Sequence, residues 1–304
     1  VRNTKAFRGK SKISNGVKEE GMFKRVSSII AMAMFLNPAF IIAGNNSIQI
    51  KGSDTMVNLG QAWAEAFNKK NPEVNVAVTG GGSGTGIAAL IAGTADIAEC
   101  SRTMKGKEIE KAKQNGITPV EFTVALDGLA VVVHPDNPVS KLAIDELADI
   151  FTGRITNWKQ LGGKDLPIVI LSREVNSGTH VYFKEHVLRK GNEKGTEEFS
   201  PMALLMPSSQ AIADEVAQNA NAIGYYGMGY ISKQQKVVAV AKDKNLPYIE
   251  PTMENVKSGR YPISRPLLMY TKGEPQGRVK EFIGFALSAE GQEIVIKTDF
   301  VPVK

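Results

Sequence analysis

From residue 48 onward, short β-rich runs alternate with segments of helical periodicity, and this alternation predicts an α/β fold with mostly parallel sheets. Ile48 to Lys51 reads as a strand. Met56, Leu59, Trp63 and Phe67 then share one helical face until Asn71-Pro72 stops the helix, and Val74 to Thr79 reads as the second strand. The glycine-rich turn Gly80 to Gly86 opens a helix with Ile87, Leu90 and Ile91 on its inner face, and Asp96 to Ala98 begins a further strand. Val120 to His134 is long for one strand and ends abruptly at Pro135-Asp136-Asn137-Pro138, so it is expected to cross from one lobe into another. The second lobe should hold a helix at 144–151, a strand at Ile168 to Leu171, a helix after Thr179, a polar loop at 189–200, a helix from Ser209 to Asn219 and a strand at Ala222 to Tyr226. Tyr261 to Tyr270 reads as the return crossing. Gly277 to Thr298, with Val279, Phe282, Ile283, Ala286 and Leu287, reads as a helical pair packing back on the first lobe. Met202 to Met206 is expected in packing, and Trp158 in the core or at a turn.

The amino-terminal end has a different character. Residues 1–21 are polar and basic; after Met22 come Lys24 and Arg25 and then an apolar stretch from Val26 to Ile42, interrupted by two serines, Asn37 and Pro38. A short cationic region before about 15 apolar residues, with Ala43 and Gly44 following, is the pattern of a secretory signal and is too short and interrupted for a comfortable membrane span. Residues 22–45 are therefore expected to be a signal peptide cleaved near 43–46, and residues 1–21 an extension or a mis-assigned start.

The formal charge of +6 suggests nucleic acid at first sight, but residues 1–43 carry eight Lys or Arg and two Glu, and without them 29 basic and 29 acidic side chains remain. A neutral body has no general attraction for nucleic acid or membranes, so any affinity for anions must come from a local site. Cys100 is the single cysteine, and none follows the apolar stretch where a lipid anchor would attach. It is expected to be a buried thiol.

Three segments combine small hydroxyl residues with glycine where a strand gives way to a helix: Gly52-Ser53-Asp54-Thr55, Gly80 to Gly86 around Ser83, and Ser172-Arg173 through Ser177-Gly178-Thr179. Helix starts present unpaired N–H groups and a positive dipole end, hydroxyls add directional donors, and glycine permits close approach. Each segment alone also fits ordinary helix capping. Together, with Arg173 able to grip two oxygens of a tetrahedral anion, they point to an oxyanion site. The glycine loop lacks the Gly-Lys-Ser/Thr ending of a nucleotide P-loop, Ser83 does not fit a nucleophile elbow, and His134, His180 and His186 lack metal-ligand spacing.

At these segments the chain resembles the periplasmic phosphate-binding proteins of ABC importers, the PstS family, over about residues 48–300. The resemblance is carried by Gly52-Ser53-Asp54-Thr55-Met56, Gly81 to Gly86, Asp96-Ile97 leading to Ser101-Arg102, Ile150 to Trp158, Ser172-Arg173 through Ser177-Gly178-Thr179, and Ala222 to Tyr225. It implies a two-lobed type II periplasmic-binding-protein fold that closes over one dehydrated phosphate, with one lobe formed by 46–128 and 265–304 and the other by 129–264. Ser53, Asp54, Thr55, Ser83 and Ser101, with Asp127, would serve from the first lobe, and Arg173, Ser177, Gly178 and Thr179 from the second. Neither metal nor cofactor is implied, and no enzymatic activity; the expected partners are phosphate and a membrane permease, and the expected state is a monomer free in the periplasm.

The chain departs from the family pattern at one point. Many members carry an aspartate at or beside the position of Ser101-Arg102, where it accepts a proton from phosphate and repels sulfate. Here Asp54 or Asp127 would have to replace it, while Arg102 adds a cation or forms a surface ion pair. The departure keeps open a binding protein for sulfate, molybdate or arsenate. A secreted hydrolase using Ser83 or Ser177 is disfavoured by the absence of a neighbouring His base or metal cluster, and a sensor on the same scaffold would share the fold.

Overall fold

Residues 46–304 are described by the computed structural model; the expected extension at 1–21 and the signal peptide at 22–45 lie outside them. In chain order come β1 (Ser47–Gly52), α1 (Val57–Lys70), β2 (Asn75–Thr79), α2 (Ser83–Ile91), β3 (Ile97–Cys100) and α3 (Gly106–Gln114). Then follow β4 (Val120–Val133), β5 (Lys141–Ala143), α4 (Ile144–Phe151), β6 (Val169–Arg173), α5 (Gly178–Phe183), β7 (Leu204–Met206), α6 (Ser209–Gln218) and β8 (Ala222–Gly227). The chain closes with β9 (Lys236–Ala241), α7 (Met253–Lys257), β10 (Ser264–Thr271), α8 (Gly277–Ala286) and α9 (Ala289–Lys297).

The helical stripe read from the sequence becomes the packed face of α1, which buries Leu59, Trp63 and Phe67. Its end follows from the residues there: Asn71 Nδ2 donates to the Phe67 carbonyl at 3.0 Å, and Pro72 cannot continue the helix. The expected carboxy-terminal helical pair packs on this helix. Trp63 Nε1 donates to the Gly291 carbonyl at 2.8 Å, and Phe67 meets Phe282 edge-on at 5.4 Å between ring centroids.

The strands run in the order β2-β1-β3-β10-β4-β8-β6-β7, with β9 paired to β4 and β5. The sheet is mixed: five strand pairs are parallel and four antiparallel. Every antiparallel pair involves β4 or β10, the two strands expected to cross between lobes, because each runs back against its neighbours. Up to Gly128, β4 pairs with β10; from Leu129 it pairs with β8 and then also β9. One strand thus serves two halves of the molecule by changing partners at a single point.

Met202 to Met206 departs from the packing expected of it. Met202 is 80% exposed and Leu204 and Leu205 are about half exposed, β7 being an edge strand with β6 as its one neighbour in the sheet order, while Ala203 and Met206 do pack against the core. Trp158 is buried, with its ring N–H donating to the Asn221 carbonyl at 3.0 Å.

Candidate anion-binding site

Both halves contribute helix beginnings to one buried polar cluster. On the first, β1 ends at Gly52 and a single 3-10 turn, Asp54–Met56, leads into α1. The N–H of Ser53 donates to the Glu99 carbonyl at 2.7 Å, which fixes the turn to the end of β3. The Ser53 hydroxyl is buried and has no hydrogen-bond partner among the described residues. A buried orphan hydroxyl costs about 1–3 kcal/mol, a cost that an acceptor placed against it would relieve. Ser83 begins α2, and its hydroxyl accepts from the Ser101 N–H at 3.0 Å and lies 3.4 Å from the Ser101 hydroxyl.

On the second half, Ser177 caps α5 and accepts from the His180 N–H at 3.4 Å. Gly178 then sits directly against the first half, since a Cβ there would stand 2.2 Å from Ser83 Oγ and 2.6 Å from Ser101 Oγ. Thr179 Oγ1 shares a hydrogen bond of 2.9 Å with Thr55 Oγ1. Thr55, Ser83, Ser101, Gly178 and Thr179 therefore meet in one place, with Ser53 and Ser177 buried beside them in sequence.

Two arginines stand beside this cluster; sequence reasoning named Arg173, but only Arg265 bonds to the cluster's hydroxyls. Arg173 ends β6 and is held by acceptors of its own half: Nε donates to the Met206 carbonyl at 3.3 Å, Nη1 to Ser209 Oγ at 3.0 Å and Nη2 to the Pro207 carbonyl at 3.0 Å. Its Nη1 also lies 3.1 Å from Asp54 Oδ2, which accepts the Ser209 N–H at 2.8 Å. The second arginine is Arg265 on β10, directly opposite Asp127 on β4. Its Nη2 lies 2.8 Å from Asp127 Oδ2, and both side chains are fully buried. Nη1 donates to the Ser101 carbonyl at 3.1 Å, and Nη2 reaches Thr179 Oγ1 at 3.0 Å and Thr55 Oγ1 at 3.4 Å. The guanidinium thus touches hydroxyls of both halves. Burial pushes the Asp127 carboxyl up, while Arg265 and the Met228 N–H, 2.9 Å from Oδ1, pull it down. The only sign of Arg265 in the sequence is a lone charge within the apolar run Tyr261 to Tyr270.

The remaining polar groups lie outside the cluster. Arg102 makes a two-pronged pair with Glu108 at 2.8 and 2.7 Å and so turns away from the hydroxyls. Burial pushes the His180 ring down to about 4, so it is neutral at pH 7; it lies tilted against Phe199, 4.4 Å between ring centroids, and 3.3 Å from the Ser172 hydroxyl. Cys100 is buried, and burial raises its thiol pKa. Each arginine is mated to an aspartate, so the formal charge at the centre sums to zero, and an anion there is compensated by N–H dipoles and hydroxyls more than by net charge.

Comparison with known proteins places this geometry in a family. A model of the PBP superfamily domain matches residues 42–290. The chain is 34% identical over 279 residues to the phosphate-binding protein PstS of Pseudomonas aeruginosa, covering 86% of this chain and 84% of that one. It is 36% identical over 260 residues to PstS of Bacillus subtilis, covering 85% and 81%. Among solved structures, it resembles a phosphate ABC transporter substrate-binding protein from Clostridium perfringens with bound phosphate, at a TM-score of 0.75 and 39% identity, covering 85% of this chain and all of that one. An ABC-type phosphate transport receptor from Vibrio cholerae follows at 0.67 and 33%, covering 84% and 99%. With a family model spanning most of its length and curated relatives matched nearly end to end, the chain belongs to the PBP superfamily and, within it, to the PstS family with its two-lobed type II fold.

Proposed function

We propose that this protein captures inorganic phosphate between its two lobes and delivers it to the permease of an ABC importer, working outside the cytoplasm as a monomer. It is a binding protein, not an enzyme. The observation that carries this reading is the buried cluster in which Thr55, Ser83 and Ser101 of one half meet Gly178 and Thr179 of the other around Arg265. The exchange of partners by β4 at Gly128 and Leu129 supports the lobe limits 46–128 with 265–304, and 129–264.

Ser53, Thr55, Ser83 and Ser101 supply hydroxyls to the anion, Ser177 a further hydroxyl, and Gly178 and Thr179 the N–H groups that open α5. Arg265 supplies positive charge from one half and Arg173 from the other. Micromolar affinity corresponds to about 8 kcal/mol, and roughly six to eight charge-assisted bonds at about 1.5–3 kcal/mol each exceed it, leaving room for desolvation and closure. Asp54 takes the phosphate proton. Asp127 is fully buried and bonded through both oxygens to Arg265 and Met228, whereas Asp54 is 18% exposed and its Oδ2 takes both the Arg173 and Ser209 contacts.

Competition calorimetry at pH 7 tests the assignment. Phosphate is expected to bind in the micromolar range or tighter, and Arg173→Ala to weaken it by about tenfold or more. Asp54→Asn is expected to narrow the preference for phosphate over sulfate by about tenfold or more, because sulfate has no proton to give. An unchanged ratio assigns the acceptor to Asp127. Tighter binding of sulfate, molybdate or arsenate than of phosphate overturns the phosphate reading.

A further inference from the structure

Besides the hydroxyl and arginine contacts of the cluster, a second set of hydrogen bonds joins the two halves away from it. Asn176 stands at the tip of the turn between β6 and α5, where the Ser177 N–H closes back on the Glu174 carbonyl at 2.9 Å. Its carbonyl accepts from the Gly84 N–H at 3.0 Å, and its side-chain amide donates to the Gly81 carbonyl at 2.8 Å and approaches Thr85 Oγ1 at 3.3 Å. All three partners lie on the glycine-rich turn at the start of α2, in the other half of the protein.

The fit depends on missing side chains. A Cβ on Gly82 would stand 2.7 Å from the Asn176 carbonyl oxygen, and one on Gly84 would stand 3.2 Å from it. Gly82 also has a φ of +92°, which L side chains rarely adopt, so the turn both bends and approaches closely because it is glycine. The preceding residue, Val175, is 70% exposed.

We propose that Asn176 is a latch that holds the two lobes closed without touching the ligand. These hydrogen bonds exist in the closed arrangement and are lost to water on opening, so they raise the closed fraction of the empty protein and slow ligand escape. Because apparent affinity equals intrinsic affinity multiplied by the competent fraction, part of the phosphate affinity is set by a residue outside the binding cluster. The affinity arm of this proposal rests on the phosphate reading above; the closure arm does not.

The test uses the full chain with Asn176→Ala and, separately, Gly84→Ala. The second variant presses a methyl group against the latch while improving helix propensity in α2, so a loss of closure there is not a loss of helix. Phosphate association and dissociation are followed by stopped flow, and the inter-lobe distance in phosphate-free protein by spin labels on exposed positions of the two lobes. Both variants are expected to release phosphate about five- to tenfold faster with little change in association, and to shift the phosphate-free distances to longer values. Unchanged dissociation together with unchanged distances overturns the latch. A distance shift in protein that takes up no phosphate upholds the latch and overturns the phosphate reading.

Discussion

Glu99 lies on β3 with no exposed surface, and neither of its carboxyl oxygens has a hydrogen-bond partner among the described residues. Gly60 of α1 packs against it so closely that a Cβ there would fall 2.4 Å from Oε1. Burial alone raises its pKa well above the usual carboxylate range, because an unpaired charge in this setting has neither water nor a cation. A carboxyl whose folded pKa is raised favours folding below its unfolded pKa, and that advantage is lost as pH rises from the unfolded value towards the folded one. Glu99→Leu removes the orphan group at similar volume and is expected to stabilise the protein by about 1–3 kcal/mol, with a larger gain at pH 8 than at pH 5. Urea unfolding at the two pH values measures this, and a variant less stable at both contradicts it. The sequence shows Glu99 only as one acid between Ala98 and Cys100, and no local pattern marks it as buried. By contrast, Ser53, Ser83 and Ser177 were legible because hydroxyls and glycines at strand-to-helix turns have few other uses in combination.

Among the elements, the two crossing strands carry most of the chemistry that the sequence left unread. The apolar runs at Val120 and Tyr261 announced β4 and β10, but the register that sets Arg265 opposite Asp127 joins residues 138 apart and has no local signature. For the same reason the sheet proved mixed: strand direction depends on the path between elements, not on composition. Helix α3 escaped the periodicity because Ala112 is its one buried residue, and a mostly solvated helix shows no apolar stripe. The paired charges on β4 and β10 make a specific prediction. Arg265→Met leaves Asp127 buried without its cation and is expected to destabilise the fold by about 3–5 kcal/mol, whereas Arg265→Met with Asp127→Leu recovers most of that loss. Chemical denaturation of both variants and of Asp127→Leu alone checks the expected non-additivity; a double-variant loss equal to the sum of the two single losses would mean that the pair is not energetically coupled.

For the molecule as a whole, the halves share strands and close over polar groups instead of an apolar seam, so a bound anion becomes part of what holds them together. Phosphate at about one hundred times its dissociation constant adds about 2.7 kcal/mol to the folded, closed form. In a body of this size, that corresponds to a rise of roughly 4–6 °C in melting temperature. Sulfate at the same concentration is expected to produce a clearly smaller rise in a thermal melt, and equal shifts would show that the protein does not separate the two ions. The two-lobed plan itself was legible, since β4 is longer than a single small sheet needs and ends at a proline turn.

Among the described residues, four cations on the elements around the cluster have counterparts of their own: Arg265 with Asp127, Arg173 with Asp54, Arg102 with Glu108 and Lys105 with Glu185. An ion drifting towards such a surface feels little pull until it is nearly in place. Uptake should therefore run at much the same speed in brackish and in dilute surroundings, where a receptor relying on a broad positive field would slow as salt screened it. A scarce nutrient is then picked out by shape and donor placement at close range, and common anions such as chloride gain no advantage from abundance.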